Sequence, residues 1–310
     1  MVQLQVFPQD SLTALLGWPV KRWVDRPDLP TMYDLPSEDP EEIKLSDEFH
    51  PAQAFLLSLT CVSPVCALAH MFMGEDLNIY YDPEHTDWHK RPDWFLAVGV
   101  QEQDQSREMK DSYVVWNEQV SPFVIVELLS PSTMKEDLGV FFEKPRAILE
   151  GTQQLELPSL PSDFINGKSN AWNPEDEESK PKPPSKWEVY ETILQVPYYI
   201  VHNRRNGLVR AFHLTEDRYV EIPLNPQNPR VWIPELELGL GLWQGTFKRV
   251  QRSWLRWYDR KSDWVPTPEE RERLAKEQER LEAEKLRARL MALGIDPDEE
   301  SLLDLVCKDE

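Results

Sequence analysis

Three charged residues in the middle of the chain are of the types that handle phosphodiesters. Asp93 precedes the apolar run 94–100, Glu127 ends the apolar run that begins at Phe123, and Lys186 follows a Pro-rich stretch. A carboxylate at the end of an apolar strand is costly to bury, so a partner has to compensate for it. Two acidic groups on neighbouring strands with a lysine nearby form the usual arrangement for holding Mg²⁺ against a phosphodiester. Hydrolytic nuclease is therefore the leading hypothesis.

The spacing of apolar residues predicts the elements that would position the two acids. Residues 46–73 have helical spacing with Ser46 as a plausible N-cap, and Pro64 should kink or divide that helix. Short β-branched and aromatic runs then predict strands at 77–81, 94–100, 112–116 and 122–129. The second and fourth of these runs are nearly all apolar, as expected of central strands covered on both faces.

A Pro-rich insertion over about residues 141–185 separates these strands from Lys186. After it, Trp187, Tyr190 and Leu194 share one face of a short predicted helix. The next predicted strands are 198–202, 208–214, 219–222 and 231–233, and an Asn-Arg-Arg-Asn-Gly turn joins the first two as a hairpin. Residues 268–293 predict a long charged helix with a narrow apolar stripe, either a coiled-coil segment or a solvated helix, stopped by Gly294.

This pattern divides the 310 residues into an irregular arm over 1–45, a main domain over 46–265 and a helix with a polar tail over 266–310. A composition that is 40% apolar, with 12 Trp, can fill a substantial core. The net charge of −21 counts against a generic nucleic-acid coat protein, which needs clustered cations. It does not exclude an enzyme whose site is locally basic.

The remaining sequence signals concern the compartment and other metal sites. Cys61, Cys66 and Cys307 are odd in number and form no C-x-x-C pair, which favours a reduced, cytoplasmic location without structural zinc. The sequence shows neither a signal peptide nor 18 consecutive apolar residues, so no membrane span is expected. His85 and His89 fall in a predicted loop and are interpreted as surface or packing residues.

The predicted order of helix, three-strand meander, helix and strand resembles the PD-(D/E)xK nuclease superfamily, and within it the Uma2 family. The resemblance covers roughly residues 46–245, interrupted by the insertion. It is carried by Arg91-Pro-Asp93, Val126-Glu-Leu-Leu-Ser-Pro-Ser-Thr133, Asp137-Leu-Gly139, Lys186-x-x-x-Tyr190 and Gln195-Val-Pro-Tyr-Tyr-Ile-Val201. Each motif alone has little specificity, and their order makes the combination more specific.

The resemblance implies an α/β (α+β) fold: a restriction-endonuclease-like core whose central mixed sheet is flanked by helices, plus a C-terminal helical extension. It implies DNA as the substrate and an endonuclease that depends on Mg²⁺ or Mn²⁺. It also allows a homodimer, because two sites match the two strands of a duplex, although the sequence shows no interface.

The resemblance assigns the site as well. Asp93 and Glu127, with the backbone carbonyl of Leu128, would hold one Mg²⁺ or Mn²⁺. Lys186 would orient the attacking water or neutralise the scissile phosphate. Glu48 is the nearest candidate for a further acidic ligand from the first helix.

One position departs from the superfamily pattern. The lysine is expected two residues after the strand acid, but Leu129 stands there, so its role would pass to Lys186 on the following helix. The absent strand lysine and the negative charge keep open a second hypothesis, an inactive binding or assembly protein on the same fold. A third is assembly through the C-terminal helix. Residues 248–261 interleave cations and aromatics, which fits a nucleic-acid backbone but fits a half-buried β-ribbon or helix better.

Overall fold

The structure is a computed structural model of the chain. It describes residues 21, 23, 28–31, 34–35, 47–101, 108–130, 133–149 and 182–293. Most of the predicted arm, Ser46, much of the predicted insertion and Gly294 with the polar tail therefore lie outside the described residues. The chain divides into two compact units between Val265 and Pro266.

The helices of the described residues are mostly short. The α-helices are α1 (Phe49–Thr60), α2 (Val115–Glu118), α3 (Met134–Leu138), α4 (Lys186–Glu188) and α5 (Pro268–Ala292). A π-helical turn, Val189–Ile193, continues α4, and 3₁₀ turns lie at Leu68–His70, Gly139–Phe141 and Pro234–Leu236. No described helix has both the length and the apolar character needed to cross a membrane.

The described residues form twelve strands in one large and two small sheets. They are β1 (Met71–Glu75), β2 (Ile79–Tyr80), β3 (His89–Lys90), β4 (Trp94–Val98), β5 (Tyr113–Val114), β6 (Val124–Leu128), β7 (Tyr198–Asn203), β8 (Leu208–Thr215), β9 (Arg218–Glu221), β10 (Arg230–Ile233), β11 (Leu238–Phe247) and β12 (Val250–Tyr258). The central sheet has the order β1-β4-β6-β7-β8-β9, and only its β6–β7 pair is parallel. The small sheets are β10-β11-β12 and β3-β2-β5. The fold is therefore mixed α/β with a central mixed sheet.

The two central strands predicted from their continuous apolar runs are buried on both faces. In β4, Trp94 and Leu96 join one hydrophobic cluster, and Phe95 joins the other. The same alternation runs through β6, whose residues are all buried. The first cluster also contains residues of α1 and of β10–β12, and the second contains residues of α4 and of the β3-β2-β5 sheet. Each face of the sheet is thus covered, which explains why neither strand alternates apolar with polar residues.

The sequence predictions for three elements are wrong in detail. The first helix ends at Thr60, well before Pro64, and residues 71–73 of the predicted helix belong to β1 instead. The predicted strand 112–116 is divided between β5 and α2. The strand at 231–233 does not extend the central sheet, because β10 pairs with β11. Short apolar runs suit a helix or a strand equally, so pairing with distant strands decides between them.

Candidate functional site

The strand register places Asp93 and Glu127 at the same place on the central sheet. β4 and β6 are antiparallel with Trp94 opposite Val126, so one further step puts Asp93 opposite Glu127. Because side chains alternate along a strand, both residues face the side of the sheet that Phe95 and Ile125 occupy. Oδ2 of Asp93 accepts a hydrogen bond from the backbone N–H of Leu128 at 2.6 Å.

Lys186 reaches the same place from α4. Ser185 starts this helix by accepting a hydrogen bond from the backbone N–H of Glu188 at 3.2 Å, so Lys186 occupies the first helical position. Its Nζ lies 3.2 Å from Oε1 of Glu127. The structure therefore brings the predicted lysine to the predicted strand acid, although 59 positions of sequence separate Glu127 from Lys186 (186 − 127).

The strand position that lacks the lysine is part of the core. Leu129 is buried in the second hydrophobic cluster. Its backbone N–H donates to the carbonyl of His202 at 2.8 Å, which continues the pairing of β6 with β7. The cation thus comes from the helix that packs over this face of the sheet.

Two residues that the sequence did not assign complete the cluster. Asp137 of α3 is buried, and its Oδ1 accepts a hydrogen bond from Lys186 Nζ at 2.9 Å. The Tyr190 hydroxyl, one turn after Lys186, donates to Oε1 of Glu127 at 2.9 Å. Both residues lie in the motifs Asp-Leu-Gly and Lys-x-x-x-Tyr, which is the signal that could have found them.

The first helix presents a histidine rather than the predicted glutamate. Glu48 is exposed at the helix start, whereas Nε2 of His50 lies 3.1 Å from the carbonyl oxygen of Leu128. Residues two positions apart on a helix point in nearly opposite directions, so α1 cannot direct both toward the site. The Leu128 carbonyl, a predicted metal ligand, therefore already has one polar neighbour.

His50 is held in turn by Asp47. Nδ1 of His50 lies 2.8 Å from Oδ1 of Asp47, and Oδ2 of Asp47 pairs with Arg204 at 2.7 Å. Both ring nitrogens of His50 thus face acceptor oxygens. A doubly protonated imidazole would donate to both.

Burial dominates the electrostatics of the two acids. It raises the pKa of Glu127 well above its usual value, although Lys186 acts in the opposite direction. It also raises the pKa of Asp93, against the Leu128 amide that stabilises the ionised form. Burial therefore makes both carboxyl groups harder to ionise than exposed ones.

The surroundings of Lys186 favour its charged form. Burial alone would lower the pKa of Lys186, but Glu127 and Asp137 together raise it above its usual value. Lys186 therefore stays charged at neutral pH. Three carboxyl groups, those of Asp93, Glu127 and Asp137, then face one ammonium group, so the cluster holds more acid than base.

The side chains of the cluster differ in their access to solvent. The side chain of Glu127 is 2% exposed and that of Lys186 14% exposed. Beside them, Lys90 of β3 lies 3.8 Å from Glu136, whose side chain is 47% exposed. Burial lowers the pKa of Lys90, and Lys186 adds to this effect. Of these four side chains, that of Glu136 is the most exposed to solvent.

The donor set at this site fits a hard divalent cation. Carboxylate oxygens are the preferred ligands of Mg²⁺, which keeps several waters and needs only one or two carboxylates from the protein. Among the described residues, Oε2 of Glu127 and Oδ1 of Asp93 carry no hydrogen bond. No group of three His, Cys, Asp or Glu side chains in the described ranges is placed to hold a metal. A metal here would therefore be bound by two carboxylates, with water or phosphate completing its shell.

The other histidines noted in the sequence have packing roles. The ring of His85 stacks on Trp88 with centroids 3.8 Å apart and pairs with Asp82 at 2.8 Å. His89 packs against Tyr80. The interpretation of these two as packing or surface residues agrees with their surroundings.

Comparison of the chain with protein-family models, with curated proteins and with solved structures finds no match.

Proposed function

We propose that this protein is a metal-dependent endonuclease that hydrolyses DNA phosphodiesters, on a restriction-endonuclease-like core similar to that of the Uma2 family. The observation that carries the proposal is the contact of Lys186 with Glu127 at 3.2 Å, opposite Asp93 in the strand register. Two acids and a lysine that are distant in sequence meet on one face of a sheet. That combination is the one expected of such a nuclease.

The order of elements around the site supports the same proposal. A helix, α1, is followed by the antiparallel meander β1-β4-β6, then by α4 and by β7, which pairs in parallel with β6. This order agrees with the helix, three strands, helix and strand predicted from the sequence, except that β1 begins in a segment predicted to be helical. The other described elements are additions to this core.

Each residue has a role that follows from its contacts. Asp93 and Glu127 offer oxygen ligands to a divalent metal. When bound, such a metal would lower the pKa of a coordinated water and stabilise negative charge on the phosphoryl oxygens. Lys186 is held by Glu127 and Asp137, so its ammonium group has a fixed position and a full charge. A fixed ammonium can orient water or neutralise a phosphate oxygen. Tyr190 donates to the same oxygen, Oε1 of Glu127, and holds it in place.

The second candidate, a binding or assembly protein on the same fold without turnover, has specific observations in its favour. Glu127 is almost fully buried, and His50 occupies one side of the Leu128 carbonyl. Buried charge clusters also occur as purely structural features. This candidate predicts that the cluster binds no metal and that its substitution affects stability alone.

A cleavage assay on supercoiled plasmid DNA with Mn²⁺ or Mg²⁺ distinguishes the two candidates. We expect cleavage by the wild-type protein and a loss of about a hundredfold or more in Lys186→Met, because its charge stabilisation is removed. Lys261→Met, at an exposed lysine far along the chain, serves as the matched control and should cleave normally. Circular dichroism verifies folding. Wild-type protein that does not cleave would favour the second candidate. Lys186→Met protein that cleaves as well as the wild type would reject Lys186 as the catalytic cation.

A further inference from the structure

Two hairpin turns carry a group of cationic side chains. The turn between β7 and β8 contains Arg204 and Arg205, and the end of the β11–β12 hairpin carries Lys248, Arg249 and Arg252. We call these five residues the basic surface. In a chain with a net charge of −21, such a concentration of cations is a local exception.

Three members of the basic surface contact aromatic side chains of α1. The guanidinium carbons of Arg252 and Arg204 lie 4.2 and 5.3 Å from the centre of the Phe49 ring. Nζ of Lys248 lies 5.0 Å from the centre of the Phe55 ring. Arg252 also donates from Nη2 to the carbonyl of Arg204 at 3.3 Å. Both turns therefore end against the same helix.

Three members of the basic surface have no ion-pair partner among the described residues. Asp47 pairs with Arg204, but within the described ranges no carboxylate forms an ion pair with Lys248, Arg249 or Arg252. Nε of Arg252 is buried and has no hydrogen-bond partner in the described part of the chain. Burial, and next the charge of Arg204, lower the pKa of Arg252. Unbalanced cations held this close favour an anionic partner.

A chain of polar contacts links the basic surface to the backbone beside the candidate site. Arg204 pairs with Asp47 at 2.7 Å, Asp47 contacts His50 at 2.8 Å, and His50 contacts the Leu128 carbonyl at 3.1 Å. Leu128 directly follows Glu127 and binds Asp93 through its N–H. These contacts join the basic surface to the backbone at the end of β6, beside Glu127, whose side chain points to the face of the sheet opposite α1.

We infer that the basic surface binds the phosphate backbone of DNA and leads it toward Asp93 and Glu127. Arginine recognises phosphate through paired N–H donors, and backbone contacts position a protein on DNA without reading its sequence. This inference rests on the proposed function, since it names the surface that would present the substrate to that site.

The conformation of the β11–β12 turn, at the hairpin tip, allows a substitution that removes charge without straining the backbone. Lys248 and Arg249 form a two-residue turn in which both have positive φ, 47° and 66°. Such turns prefer Asn-Gly, because long side chains are strained in this conformation. The double variant Lys248→Asn with Arg249→Gly therefore removes two charges while relieving the backbone.

The β8–β9 turn supplies a matched control. Glu216 and Asp217 occupy an equivalent two-residue turn with φ of 48° and 64°. Glu216→Asn with Asp217→Gly makes the same replacement and removes two charges of the opposite sign. Since strain is common to both turns, any difference in DNA binding between the two double variants reflects the charges removed.

The experiment measures binding of a fluorescent DNA duplex by full-length protein as a function of salt, using anisotropy. Glu127→Gln is included in every protein to prevent cleavage. We expect the Lys248→Asn, Arg249→Gly variant to bind roughly tenfold more weakly at low salt, with a salt slope shallower by about 1.8 if both residues contact phosphates. The control variant should keep the parent affinity within about twofold and an unchanged slope.

Two outcomes would overturn the inference: a parent protein that does not bind the duplex, or a tip variant with the parent affinity and slope. Its failure is distinguishable from failure of the proposed function. Cleavage that depends on Lys186 together with unchanged binding in the tip variant would reject only the basic surface. Charge-dependent binding without any cleavage by protein that retains Glu127 would reject only the nuclease.

Discussion

In the proposed metal site, Glu127 would meet two opposing demands. Burial raises its pKa, so its charge destabilises the folded protein, whereas a metal ligand has to be ionised. Lys186 and Tyr190 hold the carboxyl group in one orientation without removing the cost of burial. Such a conflict between stability and local chemistry is frequent at functional sites.

Glu127→Gln should stabilise the metal-free protein at neutral pH by about 1 kcal/mol or more, because it removes a buried charge and leaves Lys186 paired with Asp137. A raised carboxyl pKa stabilises the fold below the pKa of the unfolded chain, and that contribution is lost as pH rises through the folded pKa. The free energy of unfolding of the wild-type protein therefore falls as the pH rises above the usual glutamate pKa. That of the Glu127→Gln variant does not fall for this reason. Urea unfolding of both proteins in the presence of a chelator, at several pH values, measures this difference in stability. Glu136→Gln, at the exposed neighbour, is the control and should change the free energy of unfolding by less than about 0.5 kcal/mol. A Glu127→Gln protein that is less stable than the wild type would contradict the argument.

Part of the site could be predicted from residue types alone. Asp93 and Glu127 were found because each borders an apolar strand, and their juxtaposition follows from strand pairing. The approach of Lys186 rested on a resemblance. Asp137 and His50 were not assigned, because their contacts depend on tertiary packing and on the rotation of α1, which spacing along the chain does not determine.

At the scale of elements, the most apolar segments were the most predictable. β4 and β6 are buried on both faces, so their composition identifies them directly. The hairpin β7–β8 was confirmed, because its turn carries the chemistry that such turns require. β1 and α2 were missed, since short segments depend on pairing partners that local patterns do not contain.

The start of α1 links helix stability to the site. Oδ1 of Asp47 accepts hydrogen bonds from the backbone N–H groups of Phe49 and His50 at 2.9 and 3.1 Å. Asp47→Ala should therefore cost about 0.5–2 kcal/mol of unfolding free energy, as the loss of a helix cap does. Glu48→Ala is the matched control and should be nearly neutral, because that side chain is exposed and caps nothing. Chemical denaturation measures both, and equal losses would show that Asp47 does not cap the helix.

At the scale of the whole molecule, the site belongs entirely to the larger unit. Asp93, Glu127, Asp137 and Lys186 all precede the division at Val265. In the second unit, no residue of α5 is buried, and its leucines Leu274, Leu281 and Leu286 are exposed. An exposed apolar stripe on a charged helix keeps the assembly hypothesis open for this segment alone.

Truncation after Val265 should leave DNA cleavage within about twofold of the full-length rate, because α5 supplies none of the site residues. If α5 mediates association, the truncated protein should also sediment as a smaller species. A full-length protein with Leu274→Asp and Leu281→Asp keeps the chain length and interrupts the apolar stripe. It therefore separates the loss of association from the shortening of the chain. A tenfold loss of cleavage on truncation would place the second unit in the catalytic function.

The central claim is that Asp93 and Glu127 bind one divalent metal, and titration calorimetry with Mn²⁺ tests it directly. We predict saturable binding to the wild-type protein, with proton release and an affinity that rises with pH, because the raised carboxyl pKa values make metal and proton compete. Glu127→Gln should lose this binding while remaining folded. Equal binding by both proteins, or none by the wild type, would contradict the account.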